Sequence, residues 1–166
     1  MSFAQIMTQA TPTKLDRLAG SLDRLDKALD MNVPGNEWQW ANVVESSLAH
    51  AESALREHRA LARSPNGVLA GVDETRPSLA RQADTLRNDF DHCVAQVLEL
   101  RKEVRRAAEA FRPPSDLGGK AAAGEIPDFG AIRQQAKTLL AALQQDMGTE
   151  LCLVMDSVNT DIGGGD

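Results

Sequence analysis

Between residues 79 and 111, apolar or small side chains fall at Leu79, Ala83, Leu86, Phe90, Cys93, Val97, Leu100, Val104, Ala107 and Phe111. The steps alternate four and three without a break, the spacing that keeps one face of an α-helix pressed lengthwise on other helices. At 1.5 Å per residue this seam runs about 48 Å, enough to be the spine of a bundle. The remaining positions carry Arg81, Asp84, Arg87, Asp89, Glu99, Arg101, Lys102, Glu103, Arg105 and Glu109, the charges a solvated face requires. A helix of this kind obliges the rest of the chain to supply partners for it.

Three further amphipathic stretches do so. LDRLAGS from Leu15 and LDRLDKA from Leu22 are near-repeats of seven, and Leu15, Leu18, Leu22, Leu25 and Leu29 share one stripe. This predicts a helix over about 13–30, with Thr11 as N-cap, Pro12 as first helical residue and 2–10 as a short extension or frayed end. Pro34 interrupts at 32–35, and Asn36 can cap a second helix over about 37–63. Its inward face is Trp40, Val44, Leu48, Ala51, Leu55 and Ala62. Trp38 lies about 200° from Trp40, so only one indole enters the core. Trp38 is expected over the neighbouring loop, with a partner-binding role as the alternative. A turn at Pro65-Asn66-Gly67 precedes an apolar hook of Val68, Leu69 and Val72 that closes one end of the core. Thr75 or Asp73 then caps the long helix at about 75–112, with Pro77 in its first turn.

The segment 113–128, rich in Pro and Gly, is expected to be a mobile connection, since it has few groups able to do chemistry. Asp128 caps a last helix over about 129–159, whose stripe is Ile132, Ala136, Leu139/Leu140, Leu143, Met147, Leu151, Val154 and Val158. Tyr is absent and aromatics are 4%, which disfavours a sandwich or barrel. The expected fold is all-α: a single domain over 1–166, an antiparallel up-down-up-down four-helix bundle with a short N-terminal extension. At 166 residues it buries about 70% of the surface its unfolded chain exposes, and needs no metal or disulfide to fold.

A net charge of −6 argues against a general nucleic-acid or anionic-membrane binder. Neither a signal peptide nor a membrane-spanning run is visible. Cys93 and Cys152 are lone cysteines on apolar helix faces, and buried free thiols point to a reducing cytoplasm.

Candidates for chemistry are few. His58 lies on the inward stripe of the second helix, where an imidazole can be a metal ligand, a proton carrier or a satisfied structural residue. His50 and His92 lie off their seams. On the last helix, a strict four-three count from Ile132 lands on Asp146 and Glu150. If instead the stripe drifts toward Met147, Leu151 and Val154, Asp146 moves outward and Glu150 stays near the rim. Antiparallel packing puts His58 and Glu150 about 10–15 Å apart along the bundle, so a joint site is not favoured. Arg101, Lys102, Arg105 and Arg106 form a basic stripe, which the intervening Glu99, Glu103 and Glu109 turn into an ion-paired face rather than a phosphate site. The tail at 159–166, NTDIGGGD, lacks the residues of a phosphate or calcium loop. Cys93, on the seam, behaves as a small hydrophobe and not as a nucleophile.

The two last helices resemble the second half of a hemerythrin-like domain, a four-helix bundle whose inward His, Glu and Asp hold a non-haem di-iron pair. Leu86-Arg87-Asn88-Asp89-Phe90 resembles its leucine-rich piece with Glu-His, Phe90 standing at the ligand His. Asp146 through Glu150 resembles its later His–three residues–Glu piece, with Asp146 at the His position. The run 150–166 is also similar to the ends of small bacterial helical proteins. The resemblance implies a hemerythrin-like bundle whose ligand positions have been lost, since a Phe cannot bind iron and imidazoles are what such a site most needs. The expectation is a non-enzymatic bundle that binds a protein partner or its own copy, with no catalytic residue, cofactor or metal. The alternatives are a residual metal site of Glu150, Asp146 and His58, or an apolar ligand pocket between the Ala-rich seams.

Overall fold

The computed structural model describes residues 3–113 and 126–159, with side chains from residue 14 onward. It contains helices α1 (Phe3–Leu29), α2 (Glu37–Arg63), α3 (Val68–Thr75), α4 (Ala80–Ala110) and α5 (Phe129–Asn159), and a 3₁₀ turn at Pro77–Leu79 leads into α4. Among the described residues there is no strand. The four long helices form the expected antiparallel bundle: α1 packs on α2, α2 on α4, α4 on α5, and α5 returns to α1. The spine holds as read. Ala83, Leu86, Phe90, Cys93, Val97, Leu100, Val104 and Ala107 are all buried on α4. Facing them are Leu18, Leu22, Leu25 and Leu29 of α1 and Trp40, Val44, Leu48, Ala51, Leu55 and Ala62 of α2. No helix among the described residues is long and apolar enough to cross a membrane.

The two ends of the bundle are closed differently. At one end Phe129 meets Trp40 and Phe111 edge-on, with ring centroids 5.5 and 5.2 Å away. Such pairs add to the energy of burial itself. At the other end α3 lies across the bundle and buries Leu69 and Val72, as the apolar hook implied. The turn into α3 needs Gly67, because any Cβ there would collide with the Leu61 carbonyl. Gly35 supplies the left-handed turn before α2 at φ 79°.

Three boundaries differ from the sequence reading. α1 begins at Phe3 rather than near residue 13, so Thr11 is no N-cap and Pro12 lies inside a helix. The fixed φ of proline suits a helix, and the cost is the hydrogen bond it cannot donate together with the crowding of its ring against the carbonyl four residues earlier. Asp73 and Thr75 belong to α3, not to the cap of the long helix, which starts at Ala80. On α5 the seam does not drift. Leu151 and Val158 are exposed, Met147 and Val154 are half-buried, and Glu150 and Leu153 are the buried residues. The four-three count therefore continues through the carboxylates, because Glu150 finds a partner inside. Asp128 does cap α5, accepting the Ala131 N–H at 3.0 Å. The expected loop at 113–128 and the NTDIGGGD tail lie largely outside the described residues.

Candidate functional site

Helices α2 and α5 occupy opposite corners of the bundle, and one polar contact joins them through its interior. His58 Nε2 and Glu150 Oε2 are 2.6 Å apart, with both residues buried. The tautomer with its proton on Nε2 donates to the carboxylate. The edge of this site is Phe90 of α4, whose ring meets the imidazole at 4.9 Å and 82°. His58 Nδ1 is also buried and, among the described residues, has no hydrogen-bond partner.

The sequence reading separated these two residues, and the structure joins them. The reason is register. Antiparallel pairing from helix bounds of 37–63 and about 75–112 sets His58 level with about Leu79–Ala83. In the structure, α3 and the 3₁₀ turn take up residues 68–79. Arg63 and Arg59 of α2 then pair with Asp91, and the Arg87 guanidinium donates to the Ala62 carbonyl. His58 is thereby level with Phe90, about two helical turns from where a short hairpin would have put it.

Asp146 turns elsewhere. It sits half-buried and accepts the Cys93 thiol at 3.6 Å. Burial, with the charges of Asp146 and Asp89, pushes that thiol up to about 12. Burial and Asp89 also raise the Asp146 carboxyl above its ordinary value, partly offset by the Cys93 hydrogen bond. Cys93 therefore stays protonated near neutral pH and is no nucleophile. Although Glu150 and His58 meet, Asp146 does not join them. Among the described residues no three His, Cys, Asp or Glu side chains are placed to share an ion. His50 is exposed and contacts the Ser46 carbonyl of its own helix, and exposed His92 contacts Gln96. Cys152, grouped with the buried thiols from sequence, is exposed.

The outer side of α4 is an ion-paired surface, as the interrupted basic stripe suggested. Arg101 bridges Glu45 and Glu52 of α2, Arg105 joins Glu45, and Lys102 pairs with Glu99. Burial alone would raise the Glu45 and Glu52 carboxyls. Arg101, with Arg105 on Glu45 and Arg56 on Glu52, outweighs it and holds both below the ordinary carboxylate value.

The outer side of α5 is different, and sequence inspection passed over it. Directly opposite the buried seam, a second four-three series runs Gln134, Thr138, Ala141, Gln145, Gly148, Cys152 and Met155, all exposed. From Thr138 to Met155 the only charged residues are Asp146 and Glu150, and both turn inward to Cys93 and His58. The Thr138 and Thr149 hydroxyls donate back to the Gln134 and Gln145 carbonyls of the same helix. Met155 within this series is 53% exposed, Leu151 beside it is 52% exposed, and Val158 beyond its end is 58% exposed. The signal was available: the helix lacks charge on its outer heptad positions. Beside it, an open groove of about 550 Å³ lies between α4 and α5, floored by Ala95, Leu100, Leu139 and Ala142. Its rim of Glu99, Glu103 and Gln135 makes it a surface feature rather than an apolar pocket inside the bundle.

No protein-family model, curated protein or solved structure matches this chain. What the molecule can do has to be read from these two places, the buried pair and the uncharged face.

Proposed function

We propose that this protein is a non-enzymatic helical bundle that works by binding another protein surface, with the outer face of α5 as the docking surface. The observation that carries this reading is that Leu151 and Met155 are each more than half exposed on a helix whose outer face carries no charge from Thr138 to Met155. Depletion of charge around exposed large apolar residues is the composition of an interface core rather than of free surface. The interior supports the same reading. His58 Nε2 and Glu150 hydrogen-bond each other inside the core and Cys93 holds its proton, so none of the three supplies a solvent-facing acid, base or nucleophile. As ligands, one imidazole and one carboxylate fall short of the four that a structural transition metal takes. The likeness to hemerythrin-like domains is in this proposal one of architecture, with Phe90 and the His58–Glu150 pair filling the space where such a domain holds its ions.

Photo-crosslinking tests it. A photoreactive residue in place of Leu151 or Met155 should give a discrete intermolecular adduct in cells producing the protein. The same residue in place of Arg106 on α4 should give none. Absence of any adduct from both α5 positions would overturn the docking assignment.

A further inference from the structure

From the same face we infer the occupant: a second copy of this chain, its α5 packed antiparallel on the first about a two-fold axis near Gln145. This rests on the docking reading above and commits it to one partner.

The first argument is charge. Each chain carries a net −6, so two copies repel one another overall. The outer face of α5 has no charge from Thr138 to Met155, and it lets two acidic chains approach with the least repulsion. It equally offers nothing to attract a charged partner. The surface that suits an uncharged helix face is another uncharged helix face, and α5 is itself one.

The second argument is shape. An antiparallel two-fold near residues 145–147 sets each position against the one whose number completes a sum of about 292. Thr138 then faces Met155, Ala141 faces Leu151 and Cys152, and Gly148 faces Gln144 and Gln145. Smaller residues face larger ones at these positions, Thr138 and Ala141 against Met155 and Leu151 and Gly148 against the glutamines, so the helix complements its own reversed image. Gly148 has no side chain, and nothing in its own chain lies within 4 Å of where a Cβ would stand. A second backbone can therefore come close at the centre. Antiparallel helices also oppose their dipoles favourably, and a two-fold contact of this kind closes at two copies without building a filament. Contact along about 32 Å of helix buries on the order of 1,000 Å², at the small end for a specific interface and in keeping with a reversible dimer.

The test combines mass with orientation. Sedimentation equilibrium of the full chain should show reversible passage from 17.9 kDa to twice that mass as concentration rises through the micromolar range. Under mild oxidation the Ala141→Cys variant should form a disulfide-linked dimer joining position 141 of one copy to Cys152 of the other, identified by peptide mapping, several-fold faster than the unmodified chain dimerises through Cys152 alone. A chain that sediments as a monomer at 200 μM overturns the proposal, as does faster linkage of Cys152 to Cys152 than of 141 to 152. If the photo-crosslinks from Leu151 and Met155 then carry a protein of another mass, the docking reading survives and the second copy falls. If they carry nothing, both fall.

Discussion

Helices α4 and α5 are each 31 residues long and bury a seam of the same four-three spacing, yet their outer faces differ throughout. On α4 the exposed positions are mainly charged, and Arg101, Lys102 and Arg105 are tied to glutamates of α2 or of α4 itself. On α5 between Thr138 and Met155 the two charges turn toward the bundle, Glu150 onto His58 and Asp146 onto Cys93, and the outside there is Thr, Ala, Gln, Gly, Cys and Met. Periodicity decides which side of a helix is buried in its own chain. The chemistry of the other side differs between the two, charged and ion-paired on α4 and uncharged from Thr138 to Met155 on α5.

The comparison is sharpened most by the core positions, where the two helices should behave alike. Phe90 is fully buried on α4, and Phe90→Ala should cost about 3–5 kcal/mol in chemical denaturation. A loss below about 1 kcal/mol would mean that the seam is not the core. On α5 the matching inward residue is a carboxylate. His58→Ala leaves Glu150 buried without its partner and should cost about 3 kcal/mol, whereas Glu150→Gln keeps an acceptor for the Nε2 proton and should cost about 1 kcal/mol. Equal losses in the two variants would argue against a hydrogen bond as the link.

The outer faces should part next. Arg101→Ala removes the bridge between Glu45 and Glu52 and should cost about 1–2 kcal/mol at pH 7. Both carboxyls are held below their ordinary value of 4.5 in the folded chain. Their stabilisation is present above that value and is lost as pH falls through the lower, folded ones. The deficit of the variant should therefore be full at pH 7 and shrink below about pH 4.5. A deficit that grows on acidification would reverse the assignment. On α5, Gly148→Ala meets nothing within 4 Å, so in dilute solution it should raise stability by about 0.5–1 kcal/mol through helix propensity alone. A loss there would reveal a contact within the chain.

Much of this was legible in the residues. The heptad seam of α4, the inward faces of α1 and α2, the α3 hook and the Asp128 cap all follow from spacing and turn chemistry. The four-three count also lands on Glu150, but its partner could not be read from it. That depended on how far α3 and the 3₁₀ turn displace α4 along α2, a tertiary offset that no local pattern records. The expected drift of the α5 seam failed for a related reason. Met147 and Leu151 are better core residues than Asp146 and Glu150 one by one, and only the imidazole across the bundle makes the polar choice stable. Pro12 inside α1 shows the limit of reading a proline as a boundary when one missing hydrogen bond is tolerable.

The central claim is that the outer face of α5, and not that of α4, meets another surface. Introducing the same charge on each helix tests it. Gly148→Arg and Asn88→Arg both replace exposed residues, and both variants should unfold within about 0.5 kcal/mol of one another as monomers. Sedimentation at concentrations where the unmodified chain is dimeric should show Gly148→Arg shifted to the monomer mass and Asn88→Arg unchanged. Both variants remaining dimeric, or Asn88→Arg alone dissociating, would contradict the account.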